Sequence, residues 1–419
     1  MQTVIGIDDT DSRERGMCTT YAARLVARRL REHGYRVPTL RLVRLNPAVE
    51  HKTRGNAALA VHTAAPPSVA FEVATSVVDE RAVTADDGTA PGVVVATRSD
   101  ERVVSFAADA VTTIHELDEA VRLIAAAGYR SAGWGGGRGK IGALAAVGAH
   151  EAFEEWTYEY IAYREPDRWG TPRDVDHDSL FAAADRAYPD AWDTVDREAN
   201  APVCVPNAPG PILYGIRGDD PFAVATVAAG IDGEPIHDRA LFVTNQGTDV
   251  HVRPGELGNL SDGRAYRVTG TVGDEPETRQ GGHVFFAVGD GDQRLQCVAF
   301  EPTKRFRNRV RNLREGDRVT VVGEVSEGTL KLEKFAVRDP VESEPRPPRC
   351  PACHRSMESA GAGQGYRCRD CGTTAPGTVD VAVDRDLDEG WYEVPPVARR
   401  HVAKPLVRGG FDAPTHPER

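Results

Sequence analysis

The sequence is poor in cysteine, in lysine and in long apolar runs, and each shortage excludes a class of protein. No apolar stretch reaches the roughly 18 residues that a membrane-spanning helix needs. The opening MQTVIGIDDTD has no charged segment ahead of an apolar one, as a secretory signal would have. Four of the seven cysteines form one cluster, which is typical of metal binding in a reducing compartment rather than of a disulfide framework. We therefore expect a soluble, cytoplasmic protein of several domains.

Acidic residues outnumber basic ones in this chain, and arginine greatly outnumbers lysine. Acidic residues outnumber lysine and arginine by 63 to 51, the net charge is −12, and the basic residues are nearly all arginine. An acidic, lysine-poor surface of this kind is typical of halophilic proteins. At high salt, dissolved counter-ions screen the repulsion between an acidic protein and phosphates, so that only short-range contacts count. The net charge therefore argues only weakly against a nucleic-acid partner.

The order of the apolar segments predicts a multidomain protein that combines α/β and α+β units. Strand and helix patterns alternate over residues 1–150, which predicts an α/β layer domain. Residues 151–262 follow the order β-α-β-β-α-β of a ferredoxin-like domain. Residues 263–340 contain five strands with a helix after the third, the order of an OB-fold barrel. The linker VESEPRPPR then leads into residues 346–419, which contain the cysteine cluster and a C-terminal tail.

The strongest motif is Cys350-Pro-Ala-Cys353, followed after fourteen residues by Cys368-Arg-Asp-Cys371. Each pair can lie on a turn that directs two sulfurs to one point, and two such turns complete a tetrahedron around Zn²⁺. No coordination position stays open, so the predicted metal is structural. Because similar ribbons occur in unrelated proteins, the motif identifies the metal better than the partner.

The segment TKRFRNRVRNLRE, between the third and fourth barrel strands, concentrates basic side chains in an acidic protein. A solvated amphipathic helix is a serious alternative to nucleic-acid binding. Its position beside an OB barrel and a ribbon favours phosphate contacts. The residues concerned are Lys304, Arg305, Arg307, Arg309, Arg311 and Arg314.

Three carboxylates, Asp8, Asp9 and Asp11, lie between the first strand and the helix that begins near Thr19. Carboxylates on a strand-end loop can hold Mg²⁺ with its waters, and a helix N-terminus favours phosphate. Together they predict a nucleotide-triphosphate or phosphoryl-transfer site. An acidic turn with a helix cap is the simpler alternative in a protein that is acidic throughout.

Residues 133–140, GWGGGRGK, could bring backbone amides and two cations to phosphates. The segment is not a Walker A loop, because Trp134 and Ile141 stand where that motif needs glycine and a hydroxyl residue, and a flexible turn explains it equally well. HKTRGNAAL (51–59) and TNQGTDVHV (244–252) are polar loops beside strands, where either ligands or simple turns are expected. The predicted phosphate-binding set is Gly136, Gly137, Arg138, Gly139, Lys140, Lys52, Arg54 and Asn56.

In their order along the chain, these motifs resemble those of the archaeal tRNA(Ile) 2-agmatinylcytidine synthetase family. The resemblance spans essentially the whole chain. It rests on IDDTDS-x4-MCTTY, KTRGNAA, GRGKIGALAA, GIRG, TNQGTD, the ribbon cysteines and PPVARRHVAKPL (residues 395–406). It implies a kinase-like first domain ahead of the ferredoxin-like domain, the barrel and the ribbon. It also implies ATP, Mg²⁺ and Zn²⁺ as cofactors.

The reaction implied by the resemblance is an ATP-dependent ligation of agmatine to C2 of the wobble cytidine, C34, of the isoleucine tRNA with the CAU anticodon. The modified tRNA then reads AUA instead of AUG. By the same resemblance, Asp8, Asp9 and Asp11 bind magnesium and ATP, and Thr19 matches the family's phosphorylated threonine. The barrel, the ribbon and the basic C-terminal segment would hold the tRNA, through Lys304, Arg305, Arg307, Arg309, Arg399, Arg400 and Lys404.

Two other functions stay open at the level of sequence. The run from Asp9 to Ser12 after an apolar strand also fits an aspartyl-phosphate-type phosphohydrolase, although Lys52 and Lys140 lack the setting of the later lysine in that class. A single-stranded nucleic-acid-binding protein can also combine an OB barrel with a ribbon, but it would leave the first 260 residues without a function. Acid-stable phosphothreonine, and competition between tRNA and single-stranded DNA, would separate these alternatives from the synthetase.

Overall fold

The computed structural model describes residues 3–50, 52 and 55–419, so Arg54 of the predicted phosphate-binding set lies outside the described residues. Within these ranges no helix is both long enough and apolar enough to cross a membrane.

The N-terminal unit has helices on both faces of a sheet. Its elements are β1 (Thr3–Asp8), α1 (Thr19–Glu32), β2 (Thr39–Arg44), β3 (Ala57–Thr63), α2 (Pro67–Arg81), β4 (Gly92–Ala96), α3 (Glu101–Asp109), α4 (Leu117–Ala127), β5 (Arg130–Gly133) and α5 (Lys140–Ala152). Side chains alternate along β1, so that Ile5 and Ile7 pack with α1 and α2, while Val4 packs with α3, α4 and α5. The predicted α/β layer domain is confirmed.

The second unit continues the same sheet. Its elements are β6 (Thr157–Arg164), α6 (His177–Ala187), β7 (Ala191–Trp192), β8 (Val195–Asp196), β9 (Ala201–Pro202), β10 (Ile212–Gly218), α7 (Pro221–Ala229) and β11 (Ile236–Thr244). The strands β11-β6-β10-β7 are antiparallel neighbours, which confirms the ferredoxin-like order. β11 also pairs in parallel with β2, so the full order is β5-β4-β1-β3-β2-β11-β6-β10-β7. The predicted boundary near residue 150 therefore lies between two halves of one nine-stranded sheet.

The third unit is a closed barrel. Its elements are β12 (Val252–Pro254), β13 (Arg264–Val272), β14 (Glu277–Thr278), β15 (Val284–Asp290), β16 (Gln293–Ala299), α8 (Phe306–Arg311), β17 (Arg318–Ser326) and β18 (Thr329–Asp339). The ring closes because β13 pairs with β15 and β17, β15 pairs with β16, and β18 pairs with β16 and β17. The predicted OB fold is confirmed. Phe306 and Val310 of α8 are fully buried in the barrel core, so the basic helix covers one end of the barrel.

The C-terminal part leaves the barrel, forms the ribbon and returns. Its strands are β19 (Ser343–Arg346), β20 (Glu358–Ser359), β21 (Tyr366–Arg367), β22 (Thr374–Ala375), β23 (Val379–Ala382), β24 (Gly390–Glu393) and β25 (Thr415–His416). β20, β21 and β22 form the small sheet of the ribbon. β24 adds to barrel strand β18, and Trp391 is 1% exposed there. The last 30 residues therefore pack on the barrel and on the ferredoxin-like unit rather than on the ribbon.

Candidate functional site

A cavity of about 840 Å³ runs across the strand ends on one side of the nine-stranded sheet. The carboxyl ends of β1, β2, β10 and β11 meet the start of β6 at this edge. Residues from both halves of the sheet therefore line the cavity, among them Asp8 on β1, Arg44 on β2, Glu159 on β6 and Arg217 on β10. With strands about 4.8 Å apart, β1 and β6 are separated by roughly 19 Å along the edge.

The acidic cluster begins where β1 ends. Asp9 has a positive φ of 59°, a conformation that is uncommon outside glycine, and its amide donates to Asp8 Oδ1 at 2.8 Å. Its own Oδ2 accepts from the Ala90 amide and from Arg138 Nη2, both at 3.1 Å. Burial raises the pKa of Asp8 well above its ordinary value and the charge of Asp9 adds to this, while burial also raises the pKa of Asp9. A bound cation would relieve both the burial cost and the repulsion.

Thr19 lies beside this cluster as the first residue of α1. It is 5% exposed, and its Oγ1 accepts from the Thr10 hydroxyl at 3.1 Å and from the Thr10 amide at 3.4 Å. Asp11 lines the same cavity, and its backbone carbonyl accepts from Thr89 Oγ1 at 2.7 Å. The fold thus brings the predicted set of Asp8, Asp9, Asp11 and Thr19 into one cavity; their individual roles stay predictions.

The glycine-rich segment lines part of the cavity, through Gly135, Gly136, Arg138 and Gly139. Gly135, Gly136 and Gly137 all have positive φ, at 54°, 91° and 69°, which only glycine adopts readily. The segment ends in α5, and a Cβ on Gly142 in the first turn would lie 2.0 Å from Asp8 Oδ2. Glycine at 142 therefore allows the positive end of the helix dipole to reach the Asp8 carboxylate.

The predicted phosphate-binding residues divide into two groups. Gly136, Arg138, Gly139, Lys52 and Asn56 line the cavity. Gly137 instead closes a turn through its amide, which donates to Trp134 O at 2.8 Å, and the Lys140 side chain lies against Gly133. Burial lowers the pKa of Lys52, and the charge of Arg400 lowers it further.

The sequence did not single out three further functional candidates by residue: Arg44, Glu159 and Gln246. Glu159 is 7% exposed and accepts a hydrogen bond from Gln246 Nε2. Gln246 Oε1 in turn accepts from Arg44 Nη2 at 3.0 Å. The one available signal was the TNQGTD motif, which contains Gln246; nothing in the alternating strand around Glu159 distinguishes that residue from an ordinary strand carboxylate.

The four ribbon cysteines converge as predicted. Within the described ranges they are the one group of three or more His, Cys, Asp or Glu residues whose ligand atoms lie close enough for a shared metal, all within 4.8 Å of one another. A tetrahedral Zn²⁺ with bonds of about 2.3 Å places its sulfurs about 3.8 Å apart. Tyr366 and Met357 pack beneath Cys350 and Cys368, so the sulfur cluster fits a structural zinc ion.

The predicted tRNA-binding cations have carboxylate or carbonyl partners within the chain. Lys304, the most exposed of the α8 group at 60%, pairs with Glu301 at 2.6 Å, and Arg305 reaches Asp196 of the ferredoxin-like half at 3.0 Å. Arg309 pairs with Asp386 at 2.5 Å. Arg307 donates to the Gly282 carbonyl. The basic residues on and just before α8 therefore also hold the barrel to the ferredoxin-like half and to the C-terminal part.

The basic residues of the C-terminal segment are less accessible. The side chain of Arg399 is 2% exposed and pairs with Asp193 and, at 2.7 Å, with Glu393. Arg400 pairs with Glu324 at 2.6 Å and Lys404 with Glu155 at 3.5 Å. In this arrangement Arg399 joins the ferredoxin-like half to the barrel, which favours a structural role; tRNA contact by these three residues stays a prediction.

Family models cover most of the chain. The TiaS TCKD domain matches residues 4–136, the TiaS FLD domain residues 137–251, the OB-fold nucleic acid binding domain residues 263–334 and the TiaS C-terminal zinc ribbon domain residues 347–387.

Relatives of known name match over nearly the full length. The isoleucine-tRNA 2-agmatinylcytidine synthetase TiaS of Haloquadratum walsbyi is 53% identical to this chain, and the alignment spans 100% of both sequences. The enzyme of the same name from Methanosarcina mazei is 46% identical over 97% of each chain. Among solved structures, a complex of TiaS with its isoleucine tRNA and ATP superposes over 100% of both chains with a TM-score of 0.91 and 41% identity. On these grounds the chain belongs to the TiaS family of isoleucine-tRNA 2-agmatinylcytidine synthetases.

Proposed function

We propose that this chain is an ATP-dependent ligase that joins agmatine to C2 of C34 in the isoleucine tRNA with the CAU anticodon. The observation that carries the proposal is that one cavity contains both the group of Asp8, Asp9, Asp11 and Thr19 near the end of β1 and the Glu159 carboxylate on β6. Solved relatives hold an isoleucine tRNA with ATP in one complex, and an isoleucine tRNA with AMPCPP and agmatine in another. ATP and tRNA meet in the cytoplasm, which is the proposed location.

The chemistry requires two steps. The C2 oxygen of cytosine is a poor leaving group, so an amine does not displace it directly. Transfer of a phosphoryl group from ATP to that oxygen makes it a good leaving group. The primary amine of agmatine then attacks C2, the oxygen departs with the phosphate, and the nitrogen loses a proton. Positioning and electrostatic stabilisation supply the catalysis of both steps.

The acidic cluster and the glycine segment would bind ATP and promote the first step, the phosphoryl transfer. The carboxylates of Asp8, Asp9 and Asp11 converge less closely than the ribbon sulfurs do, so we propose a Mg²⁺ ion held by one or two of them with waters and phosphate oxygens. When bound, Mg²⁺ supplies positive charge to phosphoryl oxygens. Arg138, held by Asp9 and by the Gly88 carbonyl, would supply a second positive charge.

The barrel and the ribbon would hold the rest of the tRNA. The wobble base must leave its stack to enter the cavity, at a cost of roughly a few kcal/mol. Contacts of the tRNA with the barrel and ribbon would offset this cost. We propose Lys304 and Arg309, the most exposed of the predicted cations on the barrel at 60% and 36% of their side chains, as phosphate contacts.

The direct test is incubation with ATP, labelled agmatine and a transcript of the isoleucine tRNA, followed by nucleoside analysis. We expect label in a modified cytidine from position 34, dependent on ATP. A transcript with U at position 34 is the control. Absence of label in the cytidine, with the protein folded and zinc present, would overturn the proposal.

Replacing Asp9 by alanine is expected to lower ATP turnover by about a hundredfold or more, because Arg138 loses its carboxylate partner and the phosphoryl end loses an anionic ligand. Turnover of ATP with tRNA present is the measurement. Asp292→Ala, an exposed change on the barrel, is the control. ATP turnover at the normal rate in Asp9→Ala would exclude Asp9 from metal and nucleotide binding.

Removing the zinc site is expected to weaken tRNA binding by about tenfold or more while changing ATP affinity less than twofold, because the ribbon lies apart from the cavity. The change is Cys368→Ser or treatment with a chelator. Filter binding of labelled tRNA and calorimetry with ATP are the measurements. Equal loss of both affinities would mean that zinc stabilises the whole fold.

A further inference from the structure

Gln246 is fixed from both its backbone and its side chain. It is 0% exposed, its carbonyl accepts from Thr157 Oγ1 at 2.8 Å, and its amide donates to Thr244 Oγ1 at 3.2 Å. The neighbouring Asn245 accepts from the Arg44 amide at 2.7 Å and donates to the Arg44 carbonyl at 3.0 Å. The TNQGTD motif therefore fixes the end of β2 to the end of β11, where the two halves of the sheet meet.

The Gln246 side chain lies between two groups of opposite charge that line the cavity. Its Oε1 accepts from the Arg44 guanidinium and its Nε2 donates to the Glu159 carboxylate. A glutamine is suited to this position because one amide offers an acceptor at one end and a donor at the other. Without it, the buried Glu159 and the partly buried Arg44 would attract each other, and nothing would keep them from forming a direct ion pair.

The amide leaves part of Glu159 available to the cavity. Within residues 3–50, 52 and 55–419, Glu159 Oε2 is bonded to Gln246, and Oε1 accepts no hydrogen bond. Gly215 lies against Oε1, since a Cβ at that position would be 2.6 Å away. A carboxylate held by one oxygen and open at the other is suited to a guanidinium or ammonium ion.

We infer that Gln246 is a positioning residue that keeps Glu159 apart from Arg44 and directs it at the cationic end of the amine substrate. The inference rests on the proposed agmatine transfer. It assigns the binding of the cation to the β6 end of the cavity, about 19 Å along the sheet edge from the β1 end, where the phosphoryl chemistry is proposed. Gln246 then affects the affinity for agmatine and not the affinity for ATP.

The test compares agmatine and ATP binding in the full-length protein loaded with zinc. Gln246→Leu removes both hydrogen bonds at similar volume, and we expect agmatine affinity in calorimetry to fall tenfold or more. ATP affinity and phosphorylation of Thr19 are expected to stay within twofold of the wild type. Gln280→Leu, an exposed change on the barrel, is the matched control.

A second variant provides a readout that a purely structural role would not change. In Gln246→Glu the new side chain still accepts from Arg44 but no longer donates to Glu159. Agmatine affinity in this variant is expected to fall tenfold or more, while the affinity for butylamine, which lacks the guanidinium, is expected to stay within twofold of the wild type.

Three outcomes would count against the inference. Wild-type agmatine affinity in Gln246→Leu, or an equal fall in agmatine and ATP affinity, would overturn it and leave the proposed function standing. An equal fall in agmatine and butylamine affinity in Gln246→Glu would also overturn it. A wild-type protein that binds ATP and tRNA but no agmatine would overturn the proposed function itself.

Discussion

Replacing Thr19 by valine is expected to leave ATP binding intact and to lower the rate of agmatine transfer by about a thousandfold or more. Valine has nearly the shape of threonine, so it fills the same 5%-exposed position at the start of α1. It lacks the hydroxyl that now accepts from Thr10 and that the family resemblance predicts to be phosphorylated. If Thr19→Val folds normally but transfers agmatine slowly, the loss of rate can therefore be assigned to the missing hydroxyl.

The measurement has two parts. Modified cytidine is quantified after reaction with labelled agmatine, and the protein is analysed for acid-stable phosphate by mass spectrometry. Thr19→Ser keeps a hydroxyl and is the matched control, expected to retain both phosphate and measurable transfer. Transfer at the wild-type rate in Thr19→Val would exclude the residue from the reaction. An acid-labile phosphate on Asp9 would instead favour aspartyl-phosphate chemistry.

Replacing Gly142 by alanine is expected to lower ATP turnover by about a hundredfold or more. Alanine stabilises a helix by roughly 1 kcal/mol relative to glycine, so the helix propensity of α5 rises with this change. The added Cβ would however lie 2.0 Å from Asp8 Oδ2, and either the carboxylate or α5 must move. A displacement of about 1 Å at a reacting centre costs about a hundredfold in rate.

Gly148→Ala provides the control for this prediction. It lies on the same helix, and its Cβ would meet Val103 O at 2.5 Å, on the α3 side away from the cavity. Both variants should lower the thermal midpoint, and only Gly142→Ala should lower ATP turnover per folded molecule. Equal turnover in the two variants would show that close approach of α5 to Asp8 has no part in the reaction.

Prediction from sequence succeeded where the signal was local. The strand-end acids, the helix at Thr19 and the paired cysteine turns each depend on residues within a short segment. The strand orders of the ferredoxin-like unit and the barrel followed from the sequence of elements. The sequence pattern does not predict α5, because Gly142 and the seven residues after it are all buried. A helix buried on every side has no amphipathic stripe for periodicity to detect.

The sequence by itself determined that the chain carries three carboxylates on the loop after its first strand, an OB barrel and a zinc ribbon. Only the tertiary structure decided that β2 and β11, some 200 residues apart, pair in parallel and join two predicted domains into one sheet. That pairing brings Glu159 and Arg44 to the cavity that holds Asp8, and it gives Gln246 a position between them. It also places Arg399 in a buried ion pair, although its sequence context favoured a tRNA contact. Such pairings depend on the summed packing of distant strands, which local spacing and composition do not encode.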